Sequence, residues 1–271
     1  AMLRQAECCI HGIGTKIDAP KARKLIFDAS TKLVEQKKDL SWESEGDLEW
    51  FYLEEKRTLY IKPKNSTTQM MDYNNNDVAA GWSKKKARIQ SLTIYPGLVT
   101  LGGHAFSGYD ELMMVLIPDD ITSIRDSAFR DCIKLASIHI PNKVVTIGPN
   151  AFRSCSGLSE MEISGSIKSI GDSAFCGCSK IQSLTLSNGI RSIGKNAFKL
   201  CTCLKIVNWV DADEAQNDSS SPDTVGDGAS GECADATSIS APNDFMVIGD
   251  WAFQGCTSLA SFTFIDNIRA I

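Results

Sequence analysis

A chain of 271 residues that is 43% hydrophobic and 23% charged has the make-up of a globular protein long enough to bury a sizeable core. Its net charge of −5 argues against nucleic acid as a partner. No run approaches the ~18 apolar residues of a membrane span. Gly12-Ile13-Gly14 lacks the rest of a dinucleotide fingerprint, and no cofactor is expected.

In chain order, Ala1 precedes Met2, and no charged n-region or apolar h-region follows. Two cases stand open: a protein with no signal peptide, or one whose signal peptide has been removed. Residues 1–45 form an N-terminal segment, and within it 18–38 read as a helix. Asp18 caps it, Pro20 suits its first turn, and Ala22, Leu25, Ile26, Ala29, Leu33 and Val34 recur at helical spacing. Lys21, Lys24, Lys32, Lys37 and Lys38 mark the opposite face. Such a helix packs on the domain with its lysines solvated; the alternative is a membrane-surface or partner helix.

Further on, the chain becomes periodic. Ala105-Phe106, Ala128-Phe129, Ala151-Phe152, Ala174-Phe175 and Ala197-Phe198 lie 23 residues apart, and Ala252-Phe253 follows after one long interruption. A fixed period in this range marks a solenoid, whose repeats bury their apolar side only by stacking on one another. The copy from Ala136 to Leu158 shows the unit. Ile138 and Ile140 face inward from a short strand with His139 outward. Val144 and Ile147 face inward from a second strand, and Gly148 allows a tight corner. Asn150 to Cys155 reads as a helical turn.

One inward column runs Leu92, Val115, Ile138, Met161, Leu184, Val207, Phe262, and another Leu101, Ile124, Ile147, Ile170, Ile193, Ile248, Ile271. Each such side chain contributes roughly 1.5–3 kcal/mol when fully buried, so the stack needs no disulfide. The C-terminal residues 267–271 match the middle of a coil. This reads as a fragment of a longer protein, or as an uncapped end that packs on another chain.

The motif Ile170-Gly171-Asp172-Ser173-Ala174-Phe175-Cys176-Gly177-Cys178, repeated at Ile193-Gly194-Lys195-Asn196-Ala197-Phe198, resembles the BspA-like branch of leucine-rich repeats. Leu48 to Leu53 followed by Thr58 to Ile61 looks like the strand pair that opens such proteins. Met71-Asp72-Tyr73, Trp82 and Ile89 to Leu92 look like its continuation. Glu54-Glu55-Lys56-Arg57 stands where the family has a Gly-containing turn, which leaves the turn type open. The resemblance implies a mainly β fold with short helical turns: a leucine-rich-repeat solenoid of about seven 23-residue coils over 89–271, preceded by a small α+β N-terminal module. A β capping module would occupy 46–88. It also implies a cell-surface or secreted protein that adheres to host or matrix proteins.

Cys132, Cys155, Cys178, Cys201 and Cys256 share one repeat position, which Tyr109 holds in the first coil. A column of small buried side chains explains them better than disulfides or metal. So many unpaired cysteines point to a reducing compartment or an anaerobic source. Residues 210–242 interrupt the repeat as an insertion rich in Asp, Ser and Gly. They read as a mobile, dispensable loop; Asp211-Ala212-Asp213 hints at calcium but lacks EF-hand spacing.

Of the three histidines, His11, His104 and His139, neither His104 nor His139 has a nucleophile or paired acid visible in the sequence, and no catalytic residue and no metal site is assigned. A protein partner is expected instead, on the outward face of the first strands. Met114 and Leu116 would form an exposed apolar spot and Glu160 and Glu162 an acidic one, with His139, Thr185 and Asn208 along the same face. An intracellular scaffold is the rival reading.

Overall fold

The computed structural model describes residues 41–74, 79–163, 166–187, 189–210, 237–241, 247–254 and 260–264, together with Asp28 and Lys32. The rest of the helix expected over 18–38, Cys256, the Asp211–Asp213 segment and the last residues lie outside it.

β1 (Glu43–Glu45) pairs antiparallel with β2 (Leu48–Leu53), which pairs antiparallel with β3 (Thr58–Pro63). The turn left open by the sequence is a 3-10 turn over Glu54–Lys56, closed by Arg57 in the left-handed region at φ 49°. Arg57 thus takes the conformation that glycine adopts most readily. β4 (Thr68–Gln69) precedes a 3-10 helix over Gly81–Arg88.

From there the chain alternates between two parallel ladders. β5 (Ser91–Ile94) joins β3, and β6 (Leu98–Leu101) joins β4. β7 (Met114–Leu116) joins β5, and β8 (Ser123–Ile124) joins β6. β9 (Thr146–Ile147) joins β8, β10 (Glu160–Glu162) opens the second part of the first ladder, and β11 (Ser169–Ile170) joins β9. β12 (Ser183–Ser187) joins β10, β13 (Ser192–Ile193) joins β11, and β14 (Ile206–Val210) joins β12. β15 (Thr237–Ala241) joins β14, β16 (Val247–Ile248) joins β13, and β17 (Ala260–Phe264) joins β15. Between β7 and β10 the first ladder is broken. The 136–140 copy holds a single bridge residue, Ser137, although Ile138 and Ile140 are buried as the alternation requires.

Both inward columns enter one core, from Leu92 to Val207 and from Leu101 to Ile193. The phenylalanines stack face to face through it. Trp82 starts the stack at 6.0 Å from Phe106, and Phe129, Phe152, Phe175, Phe198 and Phe253 follow at 5.2–5.6 Å between ring centres. That spacing is close to the ~4.8 Å between neighbouring strands, so one ring fits per coil.

The segment expected to be a helical turn is not helical. His104, Ser127, Asn150, Ser173 and Asn196 are left-handed, with φ between 52° and 56°. Four residues later Gly108, Asp131, Ser154, Gly177 and Leu200 are left-handed as well. Alternate amides leave the coil: those of Ser127, Phe129 and Asp131 donate to the carbonyls of Pro149, Ala151 and Arg153 at 2.7–2.9 Å, and the next coils repeat this. A helix would direct those amides back along its own axis. Here they hold coil to coil, and residues that tolerate the left-handed region occupy the bends.

The buried cysteines add a second ladder. Cys132, Cys155, Cys178 and Cys201 donate from Sγ to the carbonyls of Phe106, Phe129, Phe152 and Phe175 at 3.1–3.4 Å. A thiol is a small apolar group that also carries a weak donor, which explains its use at this position. Gly148 serves close approach: a Cβ there would sit 2.7 Å from the backbone of Arg125 in the preceding coil.

The insertion is shorter than its composition suggests. Thr237–Ala241, expected in a loop, lies between β14 and β17 in the ladder, with Val207 opposite Ile239 and Ile239 opposite Phe262. The alternation Thr-Ser-Ile-Ser-Ala suits a strand. Its acidic and glycine-rich surroundings hide it in any average over 210–242.

Candidate interaction surface

Pairing in register turns single outward residues into rows. Phe51 lies opposite Tyr60, Tyr60 opposite Thr93, and Thr93 opposite Leu116. Further along, Glu162 lies opposite Thr185 and Thr185 opposite Asn208. The neighbouring row pairs Ser91 with Met114, and then Glu160 with Ser183 and Ser183 with Ile206. The ladder therefore sets Glu162, Thr185 and Asn208 at one register position, with Glu160 two residues before Glu162 on the same strand. Met114 and Leu116 belong to the separate N-terminal part of the ladder, with His139 in the gap between.

The expected apolar spot is corrected in one respect. Leu116 points away from the core as predicted, but it is only 7% exposed. Its row companions Phe51, Tyr60 and Thr93 are buried too. Phe51, Leu53 and Tyr60 form a small apolar cluster on this face, with Trp42 and Tyr95 packed against it. Phe51 and Tyr60 stack at 4.8 Å, and Trp42 meets Phe51 edge-on at 4.9 Å. Burial pushes the Tyr60 phenol above its usual range, against the opposing pull of a hydrogen bond with Thr58. Alternation fixes which way a side chain points, not whether something covers it.

Met114, His139 and Thr185 are half-buried, Ser183 is exposed, and Ile206 is 43% exposed. Ile206 is an apolar outward residue that the sequence analysis did not single out. Its strand position beside Ser183 was the available signal.

The second ladder presents hydroxyls. Ser123 and Thr146 share a hydrogen bond at 2.9 Å, and Ser192 donates to Ser169 at 2.9 Å. Beside it a shallow depression of about 370 Å³ is lined by Asp72, His104, Arg125, Asp126 and Thr146, among others. Arg125 is held there by both oxygens of Asp72 at 3.1 Å and by Gln69, and His104 Nε2 stands 3.8 Å from Asp126. Burial raises the Asp72 carboxyl, but the Gly103 amide and the Arg125 guanidinium outweigh it and hold that group below its ordinary value. The Asp72 and Arg125 charges of this depression thus satisfy one another. Among the described residues no cluster of three or more His, Cys, Asp or Glu could hold a metal, and no helix is long and apolar enough to cross a membrane.

No curated protein matches the chain. Among solved structures it is similar to a T. pallidum leucine rich repeat protein, with 19% identity and a TM-score of 0.53 over 81% of this chain and 91% of that one. A leucine-rich repeat protein from Bacteroides ovatus ATCC 8483 is similar at 18% identity and a TM-score of 0.42, over 84% of this chain and 77% of that one. A leucine rich cell surface protein from Faecalibacterium prausnitzii A2-165 is similar at 16% identity and a TM-score of 0.33, over 83% and 95%. The BspA type leucine rich repeat region matches residues 83–209 and 219–271 in 6 copies, and its second stretch resumes ahead of β15. With the greater part of its length matched and its coils stacked in that repeat, the chain belongs to the BspA-type leucine-rich repeat family.

Proposed function

We propose that this chain is a non-catalytic protein-interaction module of the cell-surface or secreted kind, which meets a host or matrix protein through the outward face of its first strands. The solenoid of about seven coils, with 46–88 capping its first turn, acts as a rigid rod. The observation that carries the reading is the outward row through Ser183 and Ile206, the latter an exposed aliphatic side chain on a sheet paired in register. A rigid array needs little ordering on binding, which lowers the entropic cost. Met114 and Ile206 supply apolar anchors, Glu160 and Glu162 the charge selectivity, and His139, Thr185 and Asn208 polar contacts. Leu116, being buried, has no part in first contact.

An intracellular scaffold is the second reading. It is favoured by buried cysteines at 132, 155, 178 and 201 that remain thiols, as a reducing compartment permits.

The test is capture of the full chain by a panel of immobilised matrix proteins. Losing one anchor costs about 2 kcal/mol, or ~30-fold in affinity. The combined Met114→Lys, Glu162→Lys and Ile206→Lys variant should lose capture with its melting temperature nearly unchanged. Capture that survives all three changes refutes this surface.

A further inference from the structure

We infer that an ordered water molecule is bound where β1 meets the first coil, accepting hydrogen bonds from the phenols of Tyr73 and Tyr109 and donating one to the Glu45 carboxylate. The first observation is a pair of buried hydroxyls. Tyr73 and Tyr109 are 3% and 2% exposed, and among the described residues neither Oη finds a hydrogen-bond partner. Buried polar groups are as a rule satisfied, by protein or by ordered water.

The second observation is that the two side chains serve one place. Tyr73 meets Trp82 edge-on at 5.5 Å, Trp82 stacks on Phe106, and Tyr109 meets Phe106 edge-on at 5.9 Å. Both phenols thus flank the start of the ring stack. Burial, then Glu45, then Tyr109 push the Tyr73 phenol above its ordinary value. Burial, then Cys132, then Glu45 do the same for Tyr109. Glu45 therefore acts on both hydroxyls, yet a hydrogen bond joins it to neither. Each phenol keeps its proton and remains a donor.

The third observation names the occupant. Glu45 Oε2 accepts from the Gly81 amide at 2.5 Å, which fixes the carboxylate and leaves it lone pairs for a further donor. Two neutral donors and one carboxylate acceptor complement a water molecule, which offers two lone pairs and two protons. A buried water typically makes about three hydrogen bonds, the number this place supplies. An anion would meet the charge of Glu45. The site also has a place in the repeat. Trp82 holds the ring position ahead of Phe106, and Tyr109 the position that Cys132, Cys155, Cys178 and Cys201 hold in later coils. Those thiols donate to a carbonyl of the preceding coil. At the first coil the water is the acceptor instead. This holds whichever partner the chain binds.

The experiment uses the full chain with Tyr73→Phe, Tyr109→Phe and both together, changes that remove a hydroxyl and keep the ring. With a shared water, each single change should lower the melting temperature by about 2–4 °C. The double change should cost little more than the larger single one, because the groups act as a unit. Single changes that leave the melting temperature unchanged or raise it overturn the inference, since they remove hydroxyls that were never satisfied. Additive losses overturn the sharing. A crystal structure of the full chain gives the direct reading: one density peak within hydrogen-bond distance of both Oη atoms and of Glu45 supports the water. No peak there, or the two Oη atoms in direct contact, overturns it. Melts at one ionic strength in sodium or tetramethylammonium chloride distinguish water from a metal ion. Equal melting temperatures support water, and a lower one in the larger cation overturns it in favour of a bound sodium ion.

Discussion

Replacing Phe175 by Ala removes a ring that is fully buried and stacked on both sides, at 5.2 Å from Phe152 and 5.3 Å from Phe198. Truncating a buried Phe costs about 3–5 kcal/mol, because transfer free energy is lost and the cavity only partly collapses. For a domain of this size that is a fall of about 6–20 °C in melting temperature. Phe175→Leu separates stacking from burial: it keeps most apolar volume and loses two aromatic pairs at about 0.5–1.5 kcal/mol each. Phe253, stacked on Phe198, is only half-buried. Phe253→Ala should therefore cost less than Phe175→Ala. Urea unfolding followed by circular dichroism measures all three. A solenoid loses cooperativity when an interior interface weakens, so Phe175→Ala should also broaden the transition. Equal costs for Phe175→Ala and Phe253→Ala would refute the link between depth of burial along the stack and the cost of losing a ring.

Gly171→Ala should destabilise by about 1–3 kcal/mol, since its Cβ would stand 2.5 Å from the Pro149 backbone nitrogen, whereas Gly46→Ala meets no atom and costs only the ~1 kcal/mol of its positive φ; thermal melts compare them. Burial, then the neighbouring thiol Cys155, pushes Cys132 well above the ordinary thiol value of 9.0, and burial does the same for Cys178. A raised folded value stabilises fully below the unfolded one, so the melting temperature should fall as pH rises above about 9, less so in Cys178→Ala. Asp72 is the reverse case: its folded value lies below the ordinary 3.8, so its contribution is present above about pH 4 and lost as pH falls through the folded value. Asp72→Asn should flatten the acid limb of a plot of melting temperature against pH.

The Ala-Phe period alone placed the core, because one large ring per coil leaves a mark no other constraint blurs. The turns were legible in position but not in kind. Asn150 to Cys155 has helical spacing of apolar residues, yet Asn150 and Ser154 are left-handed and the amides of Asn150, Phe152 and Ser154 serve the next coil. The recurrence of Ser and Asn at that place was the available sign. Leu116 failed for a different reason: pattern reports the direction of a side chain, not whether it is covered. Thr237–Ala241 failed because composition was averaged over a window much longer than a strand.

The central claim is that the outward face of the first strands makes the contact with a partner. Hydrogen exchange of the full chain, alone and with a matrix protein that captures it, tests this most directly. The account predicts new protection in Ser183–Ser187 and Ile206–Val210, with the turns at 150–155 and 196–201 unchanged. Protection confined to those turns, with both strands unaltered, would contradict it.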